Sequence, residues 1–258
     1  MKRVVVKVGS AVLTENTSIA LSRMKKLVDF LVDLRKKYEV ILVSSGAVAA
    51  GYTQVQLDRK IIANRQALAA IGQPILMDLY NKKFTKHNVL VAQLLVTSAN
   101  FKTYVQYSHV ADSIEALLKV NVLPIINEND TTATEELIFG DNDQLSAEVA
   151  THTDSDLLII LSDIDAYYDS DPRSNKNANV LKYISEITRV ELEKDVTPNS
   201  EFATGGIVTK LQAADLLLQH NKSMFLASGF NLKDVRNFML EDKHIGGTLF
   251  TKSDKIWK

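Results

Sequence analysis

Between Val122 and Ser146 the chain reads VLPIINENDTTATEELIFGDNDQLS, its densest run of side chains able to do chemistry. The apolar segment Val122 to Ile126 has the length and β-branched content of a buried strand. Asn127, Glu128, Asn129 and Asp130 follow it directly. A second polar knot, Gly140-Asp141-Asn142-Asp143, precedes an apolar-periodic segment that begins near Leu145. Asp, Asn and Gly in that place are helix-entry residues, because short acceptors satisfy the free N–H groups of a first turn. Open α/β sheets bind ligands at the carboxyl ends of their strands, where Asn127 to Asp130 would lie. Taken singly, one motif is a solvated loop and the other a helix cap. Taken together, they suit a site for an ammonium group or a metal ion.

Three further features could serve an anion. Lys7 stands near the end of an apolar strand, just before Gly9-Ser10; it either snorkels to solvent or reaches a site at the strand end. Ser44-Ser45-Gly46 follows another strand and opens a small-residue helix, which makes either an anion seat or a helix packed closely through Ala and Gly. Thr204-Gly205-Gly206-Ile207-Val208-Thr209-Lys210 places two glycines at a helix start, where backbone amides can approach phosphate oxygens. Lys210, one turn in, can return its ammonium to the same end. Two lysines, glycine-rich turns and carboxylate-rich loops fit phosphoryl transfer, in which catalysis is mostly positioning and charge stabilisation. A carboxylate acceptor would already be ionised at neutral pH and would need no general base.

These residues must be held by a framework of alternating strands and helices. Strands are expected at Arg3 to Val8, Glu39 to Val43, Val89 to Val96, Val122 to Ile126, Asp156 to Leu161, Ser223 to Ala227 and Thr248 to Thr251. Helices are expected at Ala20 to Tyr38, Tyr104 to Leu118, near Leu145 to Thr151, and at Ile207 to His220 and Lys233 to Met239. Asn64 to Thr85 reads as mainly helical, with Gly72 and Pro74 expected to break or kink it. Ala166 to Asn179 has turn composition, and Val180 to Val196 is ambiguous. Strands apolar on both faces, alternating with helices, predict an α/β three-layer sandwich around a central, mostly parallel sheet. The 258 residues are read as a single domain, 1–258, whose first ~150 residues form one lobe and the rest a second, sharing one sheet.

Composition excludes several classes. There is no Cys, so disulfides, thiolate catalysis and Cys-ligated zinc are out. His87, His109, His152, His220 and His244 show no metal-ligand spacing. A net charge of −1 announces no nucleic-acid partner. No apolar run approaches the ~20 residues that span a bilayer. Lys7 and Gly9 interrupt the N-terminal apolar run too early for a signal peptide, so a soluble, cytoplasmic protein is expected. The Walker A loop, the protein-kinase motifs, the dinucleotide fingerprint and the G-x-S-x-G elbow are all absent.

Six motifs in order resemble the branch of the amino acid kinase family that acts on L-glutamate. They are V-K-V-G-S-A-V-L-T (Val6 to Thr14), S-S-G-A-V-A-A-G (Ser44 to Gly51), I-N-E-N-D (Ile126 to Asp130), G-D-N-D-Q-L-S (Gly140 to Ser146), D-P-R-S-N (Asp171 to Asn175) and T-G-G-I-V-T-K-L-Q-A-A (Thr204 to Ala214). The resemblance implies transfer of the ATP γ-phosphate to the glutamate side-chain carboxylate, the first step toward proline. It implies Lys7 and Lys210 as the residues that neutralise the transferring phosphoryl group, with Asp143 holding them. Ser45, Asp130 and Asn142 become glutamate contacts, with Gly46, Asn127 and Asp141 beside them. The ATP-contacting set becomes Lys7, Ser162, Asp163 and Thr204 to Lys210, that is Thr204, Gly205, Gly206, Ile207, Val208, Thr209 and Lys210. Mg²⁺ would be held mainly by the phosphates, since it usually keeps several waters and few protein ligands, and no residue is assigned to it. A homo-oligomer, dimer or tetramer, is also implied.

Two departures stand out. Ser162 replaces the Thr frequent in the family and keeps its hydroxyl. The chain stops at Lys258, where many relatives continue into a PUA domain. The alternatives are a family member acting on N-acetylglutamate, aspartate, carbamate or UMP, and a non-catalytic amino-acid or nucleotide sensor on the same fold. Acidic Asp130 and Asp141 suit a free α-ammonium group, which N-acetylglutamate lacks.

Overall fold

The computed structural model describes residues 1–133, 142–193 and 206–253. Its first half contains β1 (Arg3–Val8), α1 (Ser10–Leu13), the hairpin strands β2 (Thr14–Glu15) and β3 (Ser18–Ile19), α2 (Leu21–Leu34), β4 (Glu39–Ser44), α3 (Ala47–Tyr52) and α4 (Ile62–Phe84). β5 (Val91–Val96), α5 (Tyr104–Lys119) and β6 (Leu123–Glu128) follow. The second half contains α6 (Asn142–His152), β7 (Leu157–Ser162), β8 (Tyr183–Ile184), α7 (Arg189–Leu192), α8 (Ile207–Gln219), β9 (Ser223–Ser228), α9 (Lys233–Leu240) and β10 (Thr248–Phe250). No helix among the described residues is long and apolar enough to cross a membrane.

One eight-stranded sheet has the order β5-β6-β4-β1-β7-β9-β10-β8. Its strands from β5 through β9 in that order are parallel, and β10 runs antiparallel to β9. The parallel strands therefore end along one edge, which carries Val8, Ser44, Glu128 and Ser162. β1 lies between β4 and β7, so its side chains meet a core on each face. Val4, Val6 and Val8 pack with Leu27, Leu31, Leu76 and Phe238 on one side. Val5 packs with Leu145, Val149, Leu211 and Ala214 on the other. Period-two alternation puts Lys7 on the Val5 side, under α6 and α8. This is the local reason that Lys7 meets residues of those two helices.

The predicted α/β sandwich is the observed fold, with informative differences at the element ends. β6 extends through Asn127 and Glu128, expected in a loop; both are buried strand residues. α6 starts at Asn142, so Asn142 and Asp143 lie in its first turn and not in a preceding loop. α4 is not broken at Gly72 or Pro74 and runs from Ile62 to Phe84. The missing N–H of Pro74 leaves the carbonyl of Ala70 unpaired, but both residues are exposed, so water can satisfy it. Gly72 is a packing device: a Cβ there would lie 1.8 Å from the carbonyl oxygen of Ala47, and one on Gly51 would lie 1.9 Å from that of Leu68. The small-residue run after Ser44 therefore lets α3 and α4 touch backbone to backbone.

Candidate active site

At the strand ends, one carboxylate gathers two ammonium groups. Lys7 Nζ lies 2.5 Å from Asp143 Oδ1, and Lys210 Nζ donates to Asp143 Oδ2 at 3.0 Å. The three residues come from β1, α6 and α8 and are 3%, 0% and 2% exposed in the order Lys7, Asp143, Lys210. Thr209 Oγ1 lies 3.0 Å from the same Asp143 oxygen and 2.9 Å from the Gly206 carbonyl oxygen. Lys210 Nζ also reaches the Gly206 carbonyl at 3.3 Å, so its chain folds back toward the helix start. Lys7 thus turns inward onto Asp143 and does not snorkel to solvent. Taken alone, the trio carries one more positive than negative charge. Removing two cations and an anion from water is costly, and it is sustained where hydrogen bonds fix the geometry.

Beside it runs a neutral polar chain. Asn142 Nδ2 donates to Asn127 Oδ1 at 2.8 Å, to Ser45 Oγ at 2.9 Å and to the Ser44 carbonyl at 3.2 Å. Asn127 Oδ1 also accepts from the Glu128 backbone N–H at 2.9 Å. Asn127 Nδ2 donates to Gln73 Oε1 at 2.8 Å, and Gln73 Nε2 donates to Gln93 Oε1 at 2.8 Å. Ser44 Oγ and the Tyr80 hydroxyl lie 2.8 Å apart; burial pushes the Tyr80 phenol well above its usual range, with the Ser44 bond opposing. The chain runs from the interior of β5 through the middle of α4 to the end of β6, the start of α6 and the end of β4. Gly46, with φ +111°, turns the backbone from β4 into α3 and needs glycine there.

The structure therefore brings together Lys7, Lys210, Asp143, Thr209, Gly206, Asn142, Asn127 and Ser45. Asp130 follows β6 and is half-buried, with the Arg65 charge nearby. Ser162 ends β7 and Asp163 follows it; Ser162 Oγ donates to Asp163 Oδ1 at 2.8 Å and accepts from the Ile164 N–H at 3.3 Å. Ile207 and Val208 form the half-buried first turn of α8. Asp141, Thr204 and Gly205 lie outside the described residues. Gln73, Gln93, Tyr80 and Arg65 were missed by reading the sequence. Gln73 left a signal, since it is a polar residue on a stripe that also holds Leu68, Ala69, Gly72 and Leu76.

Two buried lysines converge on one carboxylate at the carboxyl ends of the parallel strands, where open α/β sheets bind their ligands. The Amino acid kinase family profile matches residues 2–228, and the chain belongs to the amino acid kinase family. Its fold is similar to that of carbamate kinase from Giardia lamblia bound to AMP-PNP, with a TM-score of 0.66 and 16% identity, covering 98% of this chain and 99% of that one. Within the family it is similar to glutamate 5-kinases. The enzyme of Leishmania donovani is 50% identical over 250 residues, covering 97% of this chain and 95% of the relative. The enzyme of Wolinella succinogenes is 51% identical over 257 residues, with 98% of each covered.

Proposed function

We infer that this chain phosphorylates the side-chain carboxylate of L-glutamate with ATP, giving L-glutamyl 5-phosphate and ADP, the first step toward proline. The observation that carries the reading is the adjacency of Asn142 and Asp143 in one helical turn. The first joins the neutral amide chain, and the second holds both lysines. In this reading a carboxylate oxygen of glutamate forms a bond to the γ-phosphorus while the bond to the β-phosphate oxygen breaks. Lys7 and Lys210 face the charge that spreads over the transferring group. Asp143 keeps both ammonium groups converged, a positioning role. Ser45, Asn142 and Asn127 with Gly46 orient the acceptor, and Asp130, with Asp141, faces its ammonium group. Gly206 to Lys210 and Ser162-Asp163, with Thr204 and Gly205, serve the nucleotide. The lobe to about residue 150 would then hold the amino acid and the remainder ATP.

Mg²⁺ would accompany the nucleotide. Among the described residues no group of three or more Asp, Glu or His is placed to hold a metal ion, and Asp143 is engaged by two lysines. The ion would be held mainly by the phosphates and would neutralise their charge when bound. A homo-oligomeric, cytoplasmic enzyme completes the proposal. The test is ADP release in the presence of glutamate, with the acyl phosphate trapped by hydroxylamine. Glutamate hydroxamate is the expected product. Turnover with N-acetylglutamate, aspartate or UMP but not glutamate overturns the reading.

A further inference from the structure

Helix α4 points a stripe of residues inward: Leu68, Ala69, Gly72, Gln73 and Leu76. Gln73 on that stripe holds Asn127 at the end of β6. Arg65 lies one turn before Leu68 and Ala69 and two turns before Gly72, on the same side of the helix. It therefore extends the stripe past the strand ends, where the chain leaving β6 carries Asp130. Arg65 is half-buried, and burial works against its charge while the nearby Asp130 carboxylate supports it. Its guanidinium donates no hydrogen bond to another described residue. It belongs to none of the motifs that carry the family resemblance.

A planar fork of donors, partly desolvated and beside one carboxylate, is matched in shape and charge to a second carboxylate that it can grip with two bonds. Arg65 and Asp130 carry opposite charges, as do the two groups on the α-carbon of an amino acid. We propose that Arg65 binds the α-carboxylate of the amino-acid substrate while Asp130 faces its α-ammonium group. Together they read the zwitterionic head and leave the side-chain carboxylate to the two lysines. Without Arg65, a second carboxylate brought to this place would face the negative charge of Asp130. The proposal rests on the reading of the acceptor as glutamate and goes beyond it by assigning the residue that recognises the backbone half of the substrate.

The test compares glutamate with two probes, 4-aminobutyrate, which lacks the α-carboxylate, and glutarate, which lacks the amino group. Each probe is measured as a competitor of glutamate phosphorylation by the wild-type enzyme, Arg65→Met and Arg65→Lys. Arg65→Met is expected to raise the KM for glutamate by about 10- to 100-fold, the loss of a charge-assisted hydrogen bond, with the KM for ATP unchanged. Its preference for glutamate over 4-aminobutyrate should collapse by the same factor, because the probe never had the group that Arg65 holds. Arg65→Lys should recover part of that preference. A purely structural role would weaken glutamate, 4-aminobutyrate and ATP together, and that result overturns the proposal. So does a KM for glutamate within threefold of wild type in Arg65→Met. A wild-type enzyme that releases no ADP with glutamate overturns the functional reading and this proposal together, which separates the two failures.

Discussion

Asn142 and Asp143 are neighbours in the first turn of α6, yet they serve opposite kinds of site. Asp143 belongs to a compact trio of charges from β1, α6 and α8, in which one carboxylate is shared by two ammonium groups. Asn142 belongs to an extended chain of amides and hydroxyls in which each link is a neutral hydrogen bond. In the proposed reaction the trio would place charge where charge develops, so its contribution would concentrate in the transition state. In the same proposal the neutral chain would fix orientation and shape, so its contribution would concentrate in binding the acceptor. Charge also makes the trio fragile: remove the shared anion and two buried cations are left facing each other. The neutral chain degrades one bond at a time.

The largest expected effect comes from breaking the trio at its centre. Asp143→Asn leaves Lys7 and Lys210 without their common counter-charge and should cost about 3–5 kcal/mol of stability. Urea unfolding at neutral pH reads this directly, and a midpoint equal to wild type would show the trio is held by other groups. Next is Lys210→Met, which leaves the Lys7–Asp143 pair intact. Folding should survive while turnover falls by ~10² or more, the loss of one charge that stabilises the transition state. Near-wild-type turnover in a folded Lys210→Met protein removes Lys210 from the mechanism.

The neutral side of the comparison should respond more gently and in a different parameter. Asn142→Ala removes three hydrogen bonds to Asn127, Ser45 and Ser44, and should raise the KM for glutamate about tenfold with a smaller change in kcat. If kcat falls and KM does not, the division between the two regions is wrong. The smallest effect is expected at the edge of the chain. Tyr80→Phe deletes the hydroxyl partner of Ser44, which keeps its bond to the Ser45 carbonyl. It should cost about 1 kcal/mol of stability and leave both kinetic constants near wild type.

The strands could be read closely from their apolar runs because a parallel sheet covered on both faces demands them. Errors gathered where polar residues interrupt a pattern. Asn127 and Glu128 read as loop residues, since strand interiors rarely hold amides, but Asn127 is paid for by Asn142 and Gln73. Pro74 read as a breaker because the local rule ignores which side of the helix faces water. Gln73 and Arg65 escaped notice because Asn127 and Asp130, which they approach, lie far from them along the chain; only their positions on an otherwise apolar stripe hinted at use.

The sequence by itself determined the order of strands and helices, and it identified Lys7 and Lys210 as lysines worth asking about. It settled these because periodicity and turn chemistry are local. Only the tertiary structure decided that both lysines close on Asp143, that Asn142 ties β4 to β6, and that Arg65 extends the inward stripe of α4 toward Asp130. Those meetings depend on which helix covers which face of the sheet and on β1 pairing with both β4 and β7. No window of a few residues carries that information, because it is set by the packing of distant segments against one another.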